Sequence, residues 1–521
     1  MRREESDGRV VPQGRRKAVP TAPHARGEKA TTASERAGQR DLFLETADSP
    51  QGAVPGAATG QPAPAVRQAV PKSRHTPGET LPAMTMEEVT SEENLRRAFG
   101  EVAQNRGAPG PDGRSVAEVR AHLHELLPVL RRLLLDGSYR PGMIRRVWIP
   151  KSGGGERGLG IPDVVDRLVQ QAVHRVLSPH WEPTFHPSSH GFRPWRSCHT
   201  AIAEAKTYLE EGYEWVVDLD LEKFFDRVHH QRLVSRLETK VRDRRLIALI
   251  QRMLKAKVVM PEGVVVNTDE GVPQGGPLSP LLSNIVLDEL DRELARRGLH
   301  FVRYADDANI YVRSERAGHR VMASVVRFIA TQLRLTVNQA KSAVARPEER
   351  HFVGFSLRRN PENGAVEVFL SKRSKNRVNA KIRELTPRAW GQSLDGCIVR
   401  LNTYLRGWLH FFGTSCTDTV VRTLHNLDAH IRRRLRAVLL RQWKRRRFIV
   451  RRLIRLGARA HNAWQRVYEG KKSLWALSHC GPVDYALDKG YFAAQGLASL
   501  EHQFREMHRV VAPAQLSLAL E

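Results

Sequence analysis

Hydrophobic and polar positions divide the chain into three stretches. From about residue 85 to 360 two periodicities alternate. Apolar residues recur at helical spacing in Val116–Leu135 and Arg232–Met253, between short β-rich runs at Arg146–Pro150, Glu214–Leu221, Phe301–Val312 and His351–Leu357. That mixture, without an internal repeat, predicts an α+β fold with a small, largely antiparallel sheet. Further on, Leu435, Val438, Leu439, Trp443, Ile449, Leu453 and Leu456 recur mostly every three or four residues, which predicts helices with one apolar stripe. The first 80 residues hold nine of the 29 prolines and one aromatic, Phe43. Too little apolar surface is available there to offset the entropy of ordering, so this stretch is expected to be disordered.

Charge sharpens the third stretch. The 521 residues carry 84 Lys+Arg against 56 Asp+Glu, a formal net charge of +28. Residues 1–80 contribute only +4, from 13 basic and nine acidic residues. Residues 372–472 contribute +21, from 26 basic and five acidic residues, and Ile431–Arg459 has 13 basic residues and no acidic one. A run of that length without compensation is read as a phosphate-backbone contact surface, carried by Arg432, Arg433, Arg434, Arg436, Lys444, Arg445, Arg446, Arg447, Arg451 and Arg452. No apolar stretch approaches the ~18 residues of a membrane helix, and the first thirty residues lack the apolar core of a signal peptide. A membrane-spanning or Sec-secreted protein is therefore not expected. The four cysteines, Cys198, Cys397, Cys416 and Cys480, form no C-x-x-C pair, which argues against a disulfide scaffold or Cys-rich zinc site. They are read as reduced, mostly buried thiols.

Two acidic segments carry the candidate chemistry. In Trp215-Val216-Val217-Asp218-Leu219-Asp220-Leu221 the aspartates alternate with apolar residues, so both point to one face of a strand. In Phe301-Val302-Arg303-Tyr304-Ala305-Asp306-Asp307-Ala308-Asn309-Ile310-Tyr311-Val312 two apolar runs flank adjacent carboxylates, which predicts a hairpin with the Asp pair at its turn. Adjacent like charges there are unfavourable unless a cation sits against them, although a solvated Asp-Asp turn is common for the dipeptide alone. Carboxylates on a strand end and a neighbouring hairpin suit two Mg²⁺ ions about 3.5–4 Å apart, the arrangement that serves phosphoryl transfer.

These segments, with others in order, resemble the reverse transcriptase/maturases encoded by bacterial group II introns. Tyr304-Ala305-Asp306-Asp307 is the Y-x-D-D signature. Asn105–Gly113 resembles the family's N-terminal loop. Arg146–Lys151 with Arg157–Pro162 resembles the fingers hairpin, and His190–Pro194 with Arg196-Ser197 the next block. Gly271–Pro280 resembles the nucleotide-pocket block. Leu335–Asn338 with Lys341-Ser342, and Val353-Gly354-Phe355, continue the series, and Tyr404–Trp408 resembles the thumb or maturase segment. The likeness runs from about residue 90 to 470.

The resemblance implies a right-hand polymerase, with fingers and palm over 83–360, a basic all-α thumb/maturase domain over 361–472 and a short DNA-binding-like tail over 473–521, after a disordered 1–82. It implies Asp220, Asp306 and Asp307 as catalytic metal ligands for two Mg²⁺ ions, with Leu221 adding a backbone carbonyl. Asp220 is preferred to Asp218 because Phe225 and Asp226 follow it at the family's spacing. Phe225 resembles the steric gate against a ribose 2′-OH. Lys151 and Arg157 flank a glycine turn that is not a P-loop and would bind the incoming triphosphate. Pro273, Gln274 and Gly275 would line the nucleotide pocket, and Lys341 is a candidate acid for the leaving pyrophosphate, or a surface lysine. Without Cys pairs after Cys480, the family's C-terminal nuclease is expected to be absent. Implied partners are the intron RNA, an RNA template with DNA primer, target DNA and deoxynucleotides, in the bacterial cytoplasm near the nucleoid. Trp408, Trp443 and Trp464 could stack on unpaired bases, although helix packing suits each better. A splicing-only maturase and a domesticated reverse transcriptase, such as one used in defence, are the alternatives.

Overall fold

The computed structural model describes residues 83–150, 155–387, 393–470 and 472–509. The N-terminal stretch expected to be disordered and Lys151 lie outside them. The strands are β1 (Ile144–Pro150), β2 (Glu156–Ile161), β3 (Trp215–Asp220), β4 (Val258–Val259), β5 (Val265–Val266), β6 (His300–Tyr304), β7 (Asp307–Val312), β8 (Ala343–Ala345), β9 (Phe355–Arg359) and β10 (Val366–Leu370). Among the described residues they form three small sheets rather than one: β2-β1-β4-β5, β6-β7-β3-β8 and the β9–β10 pair. Every pairing is antiparallel except β1 with β4.

Both expected long helices are broken. The first becomes Val116–Ala121 and Leu123–Leu135, the former opened by a reciprocal Ser115/Glu118 capping box. The second becomes His230–Glu238 and Arg244–Leu254, because Asp243 turns its carboxylate onto the Arg245 N–H and starts a new helix. Three further helices frame the core: α1 (Glu92–Gln104), α2 (Val164–Trp181) and α3 (Cys198–Glu210). Val164, Leu168, Val169, Ala172, Val173, Val176 and Leu177 of α2 are all buried, so its apolar surface is too broad for a single stripe. Packing satisfies it from two sides, by α1 and by α4 (Ser279–Arg296).

The basic region is helical, as its periodicity predicts: α5 (Lys372–Leu385), α6 (Leu394–Gly413), α7 (Val421–Gln442), α8 (Arg446–Arg455) and α9 (Ala460–Tyr468). Leu435, Val438, Leu439, Trp443, Ile449 and Leu453 are buried, whereas Leu456, past the end of α8, is exposed. Residues 473–509, within the stretch expected to be a short DNA-binding-like tail, are helical. They form short helices and α10 (Leu500–Arg509), which packs on α6 and α7. Buried Asp428 of α7 fixes that docking: its carboxylate accepts from the Leu500 N–H at 3.0 Å, the Glu501 N–H at 3.2 Å and Ser499 Oγ at 2.7 Å. A carboxylate on a helix N-terminus satisfies donors the helix leaves unpaired. None of the four cysteines is in a disulfide; Cys198, Cys397 and Cys416 are buried and Cys480 half-buried. Among the described residues no helix is long and apolar enough to cross a membrane.

Candidate active site

The β6–β7 hairpin is closed by Ala305 and Asp306, while Asp307 already pairs with Tyr304 as the first residue of β7. The acidic pair therefore straddles the turn instead of forming it. Ala305 has φ +57°, a left-handed conformation that glycine adopts most easily. On the other side of β7 runs β3, in a register that sets Asp220 directly opposite Asp307. Directly opposed residues share a face with Cβ atoms about 4.5–5.5 Å apart, so the two acidic segments, some 85 positions apart in sequence, meet here.

The two aspartates of β3 differ in surroundings. Asp218 is buried and ion-paired with Arg350, with Nε and Nη2 at 2.7 and 2.5 Å. Burial pushes its carboxyl up, Arg350 opposes this, and Asp220 adds to it. Asp220 is half-exposed, with the Lys341 ammonium 3.5 Å from Oδ2. Its N–H donates to Ser342 Oγ at 3.0 Å and its carbonyl accepts from the Asn338 N–H at 2.8 Å. The Glu222 N–H donates to the Thr336 carbonyl, completing a bridge between Leu221 and Val337. That bridge uses the Asp220 carbonyl and leaves the Leu221 carbonyl out of the pairing. The segment 335–342 thus straps the end of β3.

Asp306 is half-buried. Its carboxyl is raised above the ordinary range chiefly by desolvation; its own backbone N–H and the charges of Arg157 and Lys341 pull it down, and Asp220 pushes it up. Arg157, which pairs with Ile149 across the β1–β2 hairpin, therefore lies within electrostatic reach of the turn. The desolvated carboxyl and its like-charged neighbour Asp220 make a site that binding a cation would stabilise. Among the described residues no three His, Cys, Asp or Glu side chains converge into a ready-made metal cage. Mg²⁺ does not need one, since it commonly takes one or two carboxylates and completes its shell with water and substrate phosphates.

Phe225 is half-buried, with Phe224 at 5.2 Å and Phe192 at 6.5 Å between ring centroids. Its carbonyl accepts from the Val272 N–H at 2.6 Å, which brings the Pro273-Gln274-Gly275 loop alongside. That loop closes on β2: the Gly160 N–H donates to the Gln274 carbonyl at 2.6 Å. Gly275 has φ +121°, and a Cβ there would meet the Gly160 carbonyl oxygen at 2.5 Å. Pro273 is held by Ser279 Oγ, 2.7 Å from its carbonyl. The structure thus brings Arg157, Asp220, Phe225, Pro273, Gln274, Gly275, Asp306, Asp307 and Lys341 around one region.

The residue missed by the sequence reading is Arg303. Its side chain is 1% exposed and forms a two-pronged ion pair with fully buried Asp291 of α4. It also donates to Asn284 Oδ1, Ser189 Oγ and the Ala305 carbonyl, at 3.0, 2.6 and 2.8 Å. Asn284 in turn donates to the Gly191 carbonyl at 2.9 Å. Gly191 lies against the turn so closely that a Cβ would stand 2.2 Å from the Ala305 nitrogen. The only signal was an arginine inside an otherwise apolar strand.

The ten basic residues singled out in the basic region do not share one role. Arg434 is buried and donates to Thr386 Oγ1, the Thr386 carbonyl and the Arg383 carbonyl. Buried Arg436 pairs with Asp484 and donates to the Leu487 carbonyl at 2.8 Å. Arg446 straps the Gly470 and Lys472 carbonyls, both at 3.1 Å. Arg433 stacks over Trp475 at 4.3 Å, and Arg432 is half-buried. Lys444, Arg445, Arg447, Arg451 and Arg452 are exposed, Arg452 over the Trp443 ring at 5.5 Å. Trp408 packs on Phe412, whereas Trp464 is 43% exposed and stacked on Tyr468.

Comparison with known proteins agrees with this architecture. Residues 149–357 match the family "Reverse transcriptase (RNA-dependent DNA polymerase)", and residues 375–457 match "Group II intron, maturase-specific domain". The mixed helix-and-sheet body is thus a reverse transcriptase domain, followed by a helical maturase domain. The chain belongs to the group II intron reverse transcriptase/maturases. It is 42% identical to protein YkfC of Escherichia coli K12 over 217 residues, 40% of this chain and 57% of that protein. It is 41% identical over 171 residues to the group II intron-encoded protein LtrA of Lactococcus lactis subsp. cremoris, 33% of this chain and 28% of LtrA. Each match spans less than two thirds of the relative. Among solved structures, a partial Cas6-RT-Cas1–Cas2 complex overlaps 47% of this chain and 42% of its own at 24% identity and a TM-score of 0.32, too loose a likeness to bear on function.

Proposed function

We propose that the protein is an RNA-directed DNA polymerase encoded by a group II intron, copying intron RNA into DNA and assisting that RNA's splicing. The register that sets Asp220 opposite Asp307, with Asp306 on the adjoining turn, is the observation that carries this reading. Residues 83–360 serve as fingers and palm, and residues from 361 onward as a thumb and maturase body. The docking of α10 supports extending that body to residue 509.

In this reading Asp220, Asp306 and Asp307, with the Leu221 carbonyl, hold two Mg²⁺ ions. When bound, the ions supply activation of the primer 3′-oxygen and stabilisation of charge on the leaving pyrophosphate. Arg157, joined by Lys151, grips the triphosphate of the incoming nucleotide. Phe225 fills the space that a 2′-hydroxyl needs and so favours deoxynucleotides, while Pro273-Gln274-Gly275 bring backbone close to the sugar and base. Lys341, whose Nζ lies 3.5 Å from Asp220 Oδ2, protonates the departing pyrophosphate in this reading. Lys444, Arg445, Arg447, Arg451 and Arg452 hold template–primer and intron RNA through phosphates, because the A-form major groove is hard for side chains to read. Target DNA is a further partner, and the bacterial cytoplasm, near the nucleoid, is where these partners are found.

The test is extension of a DNA primer on an RNA template with Mg²⁺ and deoxynucleotides. The purified chain extends the primer, and Asp306→Ala abolishes extension while leaving RNA affinity within a few-fold. Extension by that variant would overturn the metal assignment. Absence of extension by the unaltered protein, with splicing assistance retained, would leave a splicing-only maturase.

A further inference from the structure

Trp195 is 89% exposed, the most exposed of the large apolar side chains among the described residues, and has φ +61°. A single exposed apolar residue is ordinary. This one combines exposure with a left-handed backbone that a bulky residue rarely adopts, on a loop pinned at both ends. Upstream, the Gly191 carbonyl accepts from Asn284, and Gly191 abuts the catalytic turn at Ala305. Between them, the buried Arg193 side chain donates to Glu182 Oε1 and to the Glu182, His186 and Ser189 carbonyls. Downstream, Arg196 donates to the Pro187 carbonyl at 2.7 Å, and Ser197 caps α3. The loop is thus rigid while its indole projects into solvent.

Its position gives the ring a task. Phe192, three residues earlier and also left-handed at φ +61°, meets the edge of Phe225. Three residues span at most about 11 Å between Cα atoms, so Trp195 stands near the mouth of the nucleotide pocket. Inside a duplex both faces of each base are covered by neighbours. The part of a primer–template with free base faces is the template strand ahead of the primer end, and an exposed aromatic ring binds such a face without regard to sequence.

We propose that Trp195 is a stacking platform for an unpaired base of the RNA template just ahead of the incoming nucleotide. This rests on the polymerase reading above and adds a residue that holds the template strand in register. The ring makes no covalent contribution, so Trp195 is a positioning residue.

The test compares equilibrium binding of the full chain, Trp195→Ala and Trp195→Phe to three probes. The first is a primer–template with several unpaired template nucleotides, the second the same duplex with blunt ends, and the third the overhang made abasic. Stacking on one base predicts that Trp195→Ala binds the overhang roughly ten-fold more weakly than the unaltered protein. Its affinity for the blunt and abasic probes stays unchanged, and Trp195→Phe restores most of the loss. Equal weakening on all three probes, or none on the overhang, overturns the proposal. Because binding is read without catalysis, a protein that fails to extend primers would refute the polymerase reading without blurring this result. Equal melting temperatures for the three proteins exclude misfolding as the cause.

Discussion

Arg303 and Asp291 form a two-pronged ion pair, 2.7 and 2.6 Å, beneath the turn that carries Asp306. Both side chains are essentially inaccessible to water, and the guanidinium's remaining donors reach Ser189, Asn284 and the Ala305 carbonyl. Ala305 needs support of this kind, because its left-handed backbone is disfavoured for a residue with a Cβ. A lysine supplies one point charge and cannot satisfy the same fork. Arg303→Lys should therefore lose most primer extension, and Arg303→Met, which strands Asp291, should also cost about 3–5 kcal/mol of stability. Denaturant melts and extension rates of both variants measure this. Wild-type rates in Arg303→Lys would show that the turn holds itself.

The two aspartates of β3 should separate experimentally. Asp220→Asn should abolish extension with little change in melting temperature, since its carboxylate is half-exposed and among the described residues pairs with Lys341 alone. Asp218→Asn should behave in the opposite way, losing about 1–3 kcal/mol through the disrupted Arg350 pair while retaining substantial extension. A reversed pattern would reassign the metal ligand to Asp218.

Gly191 and Gly100 provide a matched contrast. A methyl at Gly191 collides with backbone at Ala305, so Gly191→Ala should displace the Ala305-Asp306 turn and sharply reduce extension. Gly100 lies within α1 with nothing within 4 Å of its missing Cβ. Gly100→Ala should stabilise the protein by about 0.5–1 kcal/mol and leave extension alone. Thermal melts and extension assays distinguish the two outcomes.

Salt dependence of RNA binding should sort the arginines. Each phosphate contact removed lowers the log–log salt slope by about 0.7–0.9. The exposed Arg445, Arg447 and Arg451, changed together to alanine, should flatten the slope by about two units or more and leave the melting temperature unchanged. Arg434→Ala and Arg436→Ala should instead lower the melting temperature, because each leaves buried carbonyls, and in one case Asp484, without a partner. A fully retained slope in the triple variant would remove this surface from the RNA interface.

Asp166 makes stability depend on pH. Burial pushes its carboxyl up to about 6, although the Tyr139 hydroxyl and the Gly142 N–H donate to it. The folded protein therefore holds a proton that the unfolded chain, with a value near 3.8, has already released. Its contribution to stability is greatest below about pH 4 and is lost as pH rises towards 6, by about 3 kcal/mol at most. Asp166→Asn, which has no proton to lose, should lack this decline. The stability difference between variant and parent should grow between pH 4 and 6, and a constant difference would refute the assignment.

The local sequence determined the motifs of the candidate site. The alternation of Asp218 and Asp220 and the Tyr304–Asp307 signature were legible because strand period and motif are properties of neighbouring residues. Helical periodicity likewise located α7 and α8. It could not show that Val116–Leu135 is interrupted at His122, or that Arg232–Met253 is broken where capping by Asp243 competes locally with continuation. Only the tertiary structure decided which charges are available. Successive residues turn by roughly 100° around a helix, so Arg432–Arg436 fan out in several directions. The packing of residues 484–487 against one side, and of Thr386 against another, buries Arg436 and Arg434 and leaves other basic residues exposed. The same holds for Arg303, whose partners come from segments more than ten and more than a hundred residues away. Charge and period are written along the chain, but burial and ion pairing depend on which distant segments fold against it.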